Sequence, residues 1–290
     1  MRWEYIEYHY QSATAKDIDP QVEALQYLCG RFELNMEQRY WLCFLYSLCY
    51  SVPTTYYIYN EFPDFIAVDY NRMQRWWDKC RPNLIFTTDR RWVRSLNVFA
   101  PICRAYSEFI ETYGRGSQQA AIENSTKGRY DMLLTEMRLP QTNRFTMFLY
   151  SELLHWICGQ DLTPSLSLVG AWSSKGALPY ICPECFSVGS EEEYQKALER
   201  VKAEIDKLPI RGRYKTIWAI ETCLCAYRKH VETGKRWVGY YIDRLGREIK
   251  KMENNTRGGG VNWQPLWDFR KETYERKYLA ELNIRANNRH

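Results

Sequence analysis

Leu139–Trp156, LPQTNRFTMFLYSELLHW, is the stretch from which the fold of this 290-residue chain is read. Leu139-Pro140 is a break. Thr142 or Asn143 then offers a short polar side chain that accepts hydrogen bonds from the first unpaired N–H groups of a new helix. At 100° per residue Phe145, Leu149, Tyr150, Leu153, Leu154 and Ile157 share one broad side. Arg144, Phe148, Ser151 and His155 form the opposite stripe, with Glu152 beside it. The pattern predicts a helix with one buried face and one open face carrying a cation, a hydroxyl, a carboxylate and an imidazole. Such a face is either the wall of an anion-binding cleft or the ordinary solvated side of a core helix.

Working outward, the same signals recur. Met1 to Asp19 is aromatic and charged without clear period and reads as an N-terminal arm. Asp19-Pro20 opens a helix that Gly30 ends, and Asn35 caps a second that stops before Pro53. A short helix over Thr54–Glu61 follows. Asp69 caps YNRMQRWWDKC, in which Arg72, Arg75 (or Trp76) and Lys79 recur at three- and four-residue spacing. Thr88 is the expected cap of the next helix, with Arg90, Arg91 and Arg94 in its first turns and Pro101 kinking or dividing it. Segments 117–124 and 128–138 read as helices. Gly159 to Ser190 reads as the longest irregular loop, of a length that is often functional. Ser190-Glu-Glu-Glu starts a helix with acids at its positive end, and Tyr214–His230, Lys235–Met252 and a last helix from Gln264 close the chain. With no strand ladder and no repeat, the expectation is an all-α fold: one compact multi-helix globule over residues 20–290.

Composition sets the class. The 23 Tyr and 11 Trp serve equally as core filler, interface anchors and base-stacking platforms, so their number alone decides nothing. Charge is more informative. Residues 69–104 hold eight Arg or Lys against three Asp, an excess of five that equals the net +5 of the whole chain. A local basic field of this kind suits phosphate-rich partners, although a solvated helical surface looks similar. The ten Cys are scattered, several inside apolar runs where Cys acts as a small hydrophobe. With no signal peptide at the start, a reduced intracellular protein is expected. The longest apolar run, Trp41 to Tyr50, is too short to span a bilayer, so no membrane partner is expected.

Motifs exclude several chemistries. There is no GxxxxGK[ST], no HExxH, no GxSxG and no GxGxxG after a strand. Cys182-Pro-Glu-Cys185 is the one CxxC and lacks the second ligand pair that a structural zinc needs, so no metal is assigned. What remains favours phosphate. Arg90, Arg91, Arg94 and Arg144 near helix N-termini combine guanidinium forks with backbone N–H groups. Trp76 and Trp77 beside Arg72 and Arg75 suit wedging into an opened base stack, with core packing expected for at least one of them. Arg257-Gly-Gly-Gly260 reads as a phosphate nest or as a linker. Asp268 sits at the start of the last helix, where a carboxylate also stabilises the dipole.

The segments NRMQRWW (71–77), TTDRRWVRSLN (87–97), LPQTNRFTMFLYSELLHW (139–156) and GVNWQPLWDFRKE (260–272) together resemble the phage amino acid:DNA transferases. These are also called α-glutamyl/putrescinyl thymine pyrophosphorylases, the enzymes of thymine hypermodification. The resemblance spans about residues 20 to 280 and contains no short diagnostic motif. It implies a helical catalytic domain similar to helical (helix-hairpin-helix) DNA glycosylases. It implies a double-stranded DNA substrate carrying 5-(pyrophosphoryloxymethyl)uracil, and work in the cytoplasm of an infected bacterial host. The amine of an amino acid (glycine or glutamate) or of a polyamine displaces pyrophosphate. No cofactor is called for, and a divalent-metal requirement stays open.

That chemistry needs a flipped base, guanidinium groups on the departing pyrophosphate and an acceptor for the amine proton. Arg144, Arg90, Arg91 and Arg94 are the candidates for pyrophosphate. His155 and Glu152, with Asp243 and Asp268 behind them, are the candidates for the base. Arg270 is the candidate for an amino acid carboxylate, and Arg72, Arg75, Trp76, Lys79 and Arg257 for DNA. The alternatives are a helical DNA glycosylase, for which Gly114-Arg115-Gly116 is the nearest hairpin match, and a non-catalytic nucleic-acid-binding phage protein.

Overall fold

Short polar caps set the helix starts. In a computed structural model of the protein, which describes residues 2–87, 93, 97–166, 173–256 and 260–274, the described residues form fourteen α-helices and no strand. Packing divides the chain into two compact units. The first comprises Met1–Pro20, Pro164–Arg244 and Lys271–His290, and the second Gln21–Thr163 and Leu245–Arg270.

The second unit holds α2 (Pro20–Arg31, apart from its first residue), α3 (Met36–Cys49), α4 (Val52–Glu61), α5 (Tyr70–Cys80) and α6 (Phe99–Gly114). With them are α7 (Gln118–Thr126), α8 (Tyr130–Glu136) and α9 (Arg144–Cys158). Asn35 closes a capping box with Gln38 at the start of α3. Asp69 accepts from the N–H groups of Asn71 and Arg72 on α5, and Asn143 from that of Thr146 on α9. The expected stop of α2 at Gly30 is not seen, and the helix runs on to Arg31. The helix expected from Thr88 is broken at Asn97 and Val98, and Pro101 sits in the first turn of α6, where the absent N–H costs no intrahelical bond.

The helix α9 departs from its expected two-faced form. Thr146 to Leu154 is buried without a gap, including Phe148, Ser151 and Glu152 from the stripe expected to be open. Ser151 needs no water because its hydroxyl donates to the Phe148 carbonyl at 2.7 Å. The helix packs on α3, where Cys43 and Cys158 touch at 3.9 Å between sulfurs.

Beside that contact runs a chain of polar groups, buried at Tyr150, Tyr106 and Gln118 and half-buried at Glu37 and Ser117. The Tyr150 hydroxyl meets that of Tyr106 (α6) at 3.0 Å, and Tyr106 donates to Gln118 Oε1 (α7) at 3.0 Å. Gln118 Nε2 donates to the Glu37 carbonyl oxygen at 2.8 Å and to Glu37 Oε2 at 3.1 Å. The Glu37 carboxylate also accepts from the Ser117 hydroxyl and the Gln118 N–H, both at 2.8 Å, at the start of α7. Phe44 stacks on the Tyr106 ring at 3.7 Å. At the α6–α7 junction, a Cβ on Gly114 would fall 2.6 Å from the Ala121 backbone nitrogen, so only glycine lets the two helices meet there.

The first unit begins with α1 (Trp3–Thr14), where an arm was expected. Its buried side is Tyr5, Ile6, Tyr8, His9, Ser12 and Ala13, so hydroxyls and an imidazole carry the helical period. The Gly159–Ser190 region also holds more order than expected. Ser173–Ala177 and Pro183–Cys185 are 3-10 turns around α10 (Leu178–Ile181), and residues 167–172 lie outside the described set. The first turn packs on α12 (Ile217–Thr233), where the Arg228 guanidinium fills the place of a side chain at Gly176. Helix α11 (Glu191–Asp206) is capped by Ser190 with Glu193. Helix α13 (Tyr240–Asn255) starts five residues after the expected Lys235, because Gly234 and Gly239 both take positive φ. The division between units falls within it, after Arg244. Helix α14 (Gln264–Thr273) begins where expected, and its residues up to Arg270 belong to the second unit.

Two buried ionisable groups brace the first unit. Asp17 accepts from the N–H groups of Gly239 at 2.7 Å and Ile242 at 2.9 Å, which caps α13. Burial nevertheless raises its carboxyl from 3.8 to about 7, against the lowering effect of those N–H groups. His9 Nε2 lies 2.7 Å from the Tyr214 carbonyl oxygen, and burial lowers its pKa from 6.5 to about 4.

Two expectations follow. Tyr150→Phe removes one hydrogen bond and costs about 1 kcal/mol, whereas Gln118→Leu removes the side-chain bonds to Tyr106 and to Glu37 together and costs about 2–3 kcal/mol. Urea midpoints check the order, and equal or negligible costs would contradict it. The pH dependence has two opposed limbs. The raised Asp17 contributes stability that is full below about pH 4 and is lost as pH rises through about 7. The lowered His9 contributes stability that is full above about pH 6.5 and is lost as pH falls through about 4. Relative to the parent, Asp17→Asn therefore gains stability with rising pH across that window, and His9→Gln loses it; parallel profiles would contradict the assignment.

Candidate functional site

The clearest division between buried and open faces belongs to α5, in the second unit. Met73 and Trp77 are buried, and Trp77 stacks on Phe99 of α6 at 4.3 Å. Asn71, Arg72, Arg75 and Lys79 are exposed on the far side. Arg72 is engaged within the protein: it pairs with Glu61 and its guanidinium lies 4.9 Å over the Phe62 ring. Trp76 is half-buried between Tyr57 at 5.6 Å and Phe62 at 5.4 Å. Arg75 and Lys79 differ. Among the described residues neither makes a hydrogen bond or ion pair and both are exposed, and the Arg75 charge acts on the Asp69 carboxylate that caps the same helix. Of the tryptophan pair, Trp77 is the core residue and Trp76 is half-buried.

Where α5 packs on α6 a groove of about 410 Å³ opens, lined by Tyr70, Asn71, Gln74, Pro101, Arg104 and Glu108 among others. Arg104 donates to Asn71 Oδ1 at 3.4 Å and its guanidinium lies 5.9 Å over the Tyr70 ring. Gln74 and Asn97 both donate to Asp78 at 3.0 Å, which ties the helix to the residues leading into α6. A groove with an aromatic ring, amides, a cation and a carboxylate can hold a phosphodiester and present polar groups to what it carries. Its lining was only half visible in the sequence. Arg104 belongs to the basic segment, but its meeting with Asn71, 33 positions earlier, is made by the packing of two helices.

The other predicted residues are dispersed. Arg144 is exposed at the first position of α9, and His155 is half-buried near its last turn. Eleven residues at 1.5 Å rise place them roughly 16 Å apart along the axis, so they do not form one cluster. Glu152 lies one turn before His155 and is buried. The His155 ring packs edge-on against Trp156 at 4.7 Å, with Nδ1 3.8 Å from Asp161 Oδ1. Asp243 is buried on α13 in the first unit. Asp268 accepts from Gln264 Nε2 at 2.8 Å within α14. Arg270 lies with its guanidinium against Gly246, where a Cβ would meet Cζ at 2.6 Å, and 6.0 Å from the Trp267 ring. Arg90, Arg91, Arg94 and Arg257 lie outside the described residues.

Cys182 and Cys185 are both buried, with Arg200 Nη1 3.6 Å from the Cys185 sulfur. Among the described residues no group of three or more His, Cys, Asp or Glu is arranged to hold a metal ion. Among them, too, no helix is long and apolar enough to cross a membrane. No protein-family model, no curated protein and no solved structure matches the chain.

Proposed function

We propose that this chain is a DNA base-modifying transferase that binds duplex DNA through the open face of α5. The observation that supports the binding half is the pair Arg75 and Lys79, exposed and, among the described residues, in no hydrogen bond or ion pair, on the helix that supplies Tyr70, Asn71 and Gln74 to the groove. Long-range attraction to phosphates needs charge that is not already neutralised at home, and these two side chains supply it. Trp76, half-buried beside them, is the side chain proposed to pack against a disturbed base step.

The transfer half rests on the sequence resemblance to the amino acid:DNA transferases of thymine hypermodification. In that reaction the nitrogen of a neutral amine attacks the 5-methylene carbon of 5-(pyrophosphoryloxymethyl)uracil. The C–O bond breaks, pyrophosphate leaves with its electron pair, and the amine proton passes to a base. His155 is the better placed of the proposed bases, being half-buried, whereas Glu152 is buried in the helix packing. Arg144, exposed at the N-terminus of α9, remains a proposed pyrophosphate contact. Glycine, glutamate or a polyamine is the donor class, and the cytoplasm of an infected bacterium the proposed setting. The distance along α9 between Arg144 and His155 favours a second reading, a nucleic-acid-binding protein without catalysis.

One experiment separates the readings. Duplex DNA containing the pyrophosphorylated base is incubated with the protein, amino acids and polyamines, and its nucleosides are analysed by mass spectrometry. An amine-bearing nucleoside with pyrophosphate released is the expected result. Loss of the base would indicate a glycosylase, and unchanged DNA that is still bound would leave the binding protein. In the same preparation Arg75→Gln/Lys79→Gln is expected to lower the slope of log K against log salt by roughly 2. An unchanged slope would remove α5 from the interface.

A further inference from the structure

The proposed reaction makes no use of Cys182-Pro-Glu-Cys185, which lies in the first unit. Cys182 follows α10, and Pro183–Cys185 is a single 3-10 turn, closed by the Cys185 N–H donating to the Cys182 carbonyl oxygen at 2.9 Å. Pro183 suits the start of that turn, where its fixed φ is already right and its missing N–H is not called on. A turn closed in this way keeps its two end Cα atoms within about 7 Å. That is the range in which two cysteines can be bridged without moving the backbone. Both thiols are free.

The two sulfurs have different surroundings. Cys182 is fully enclosed, and burial raises its thiol from 9.0 to about 11. Cys185 keeps 8% of its surface, and Arg200 of α11 reaches it from the solvent side of that helix. Arg200 Nη1 lies 3.6 Å from the Cys185 sulfur and 3.0 Å from Glu184 Oε1. The ion pair with Glu184, a residue of the same turn, holds the guanidinium beside the sulfur. In thiol–disulfide exchange the thiolate is the attacking form, and a fixed cation steadies the charge that passes through the sulfur during attack. Cys185 is thus placed to meet an outside reagent, and Cys182 to act only on Cys185.

We propose that Cys182 and Cys185 form a thiol–disulfide exchange site for small disulfides of the glutathione class, with Cys185 the attacking sulfur and Cys182 the resolving one. Cys185 Sγ, its proton given to solvent, bonds to one sulfur of the small disulfide. The S–S bond of that molecule breaks, and one half leaves with the electron pair and takes up a proton. Cys182 then loses its proton and attacks Cys185 Sγ, which releases the other half as a second thiol. The two protein thiols lose two electrons in forming their S–S bond, and the small disulfide gains them as two thiols. The site does not rest on the proposed transferase reaction.

To test this, the reduced full chain is incubated with oxidised glutathione, quenched with N-ethylmaleimide, digested with trypsin and analysed by mass spectrometry. The tryptic peptide Gly176–Lys196 contains Cys182 and Cys185 and no other cysteine, so a disulfide within it is not confused with the Cys43–Cys158 contact. The folded parent is expected to yield this peptide unalkylated and lighter by two hydrogens. Cys182→Ser is expected to stop at glutathione joined to Cys185, and Arg200→Gln to slow oxidation of the peptide by about threefold or more. Circular dichroism checks that the variants are folded; if Cys182→Ser is not, the parent and Arg200→Gln carry the test. Recovery of the parent peptide with both cysteines alkylated, or its oxidation only after the protein is unfolded in urea, overturns the site. So does glutathione addition to Cys182 in Cys185→Ser as fast as to Cys185 in Cys182→Ser.

Discussion

The hydrogen-bonded chain from half-buried Glu37 through buried Gln118 and Tyr106 to Tyr150 fixes the second unit. It ties α3, α7, α6 and α9 at once, and every donor in it has an acceptor. In a low-dielectric interior a slip of any one helix would strand a polar group, and the penalty for that exceeds the net worth of the bond itself. Hydrophobic burial brings these helices together, but it is nearly indifferent to register; the polar chain is not. Helix α5 inherits this order through the Trp77–Phe99 stack onto α6, and the orientation of its cationic face follows from it.

The use to which each basic side chain is put decides the functional reading more than the number of them. Arg72 is held by Glu61 and Phe62, Arg228 fills a gap at Gly176, and Arg270 lies on Gly246. These guanidinium groups complete the fold. Arg75 and Lys79 are exposed and, among the described residues, are held by no hydrogen bond or ion pair. Charge that the fold does not use is what a partner can use.

Local chemistry made much of the architecture legible. Asn35, Asp69, Asn143 and Ser190 all cap the helices they were expected to cap, because the capping interaction spans only three residues. The amphipathic face of α5 was legible for the same reason: its period is local and its charges are strong. Helix α9 was misjudged because serine and glutamate count as polar in a periodicity, yet Ser151 satisfies itself on its own helix and Glu152 is enclosed by neighbours. The first helix was missed for the converse reason, since Tyr8, His9 and Ser12 do not score as apolar but bury one face. Assembly of the first unit from three separated segments, and the meeting of Arg104 with Tyr70 and Asn71, depend on contacts that no local window contains.

Hydrogen-exchange mass spectrometry of the protein with and without duplex DNA, at low and at moderate salt, tests the central claim most directly. Protection on binding is predicted over α5 and the Arg104 turn of α6, and it should fade as salt rises. Protection confined to other helices, with α5 exchanging as in the unbound protein, would contradict the account.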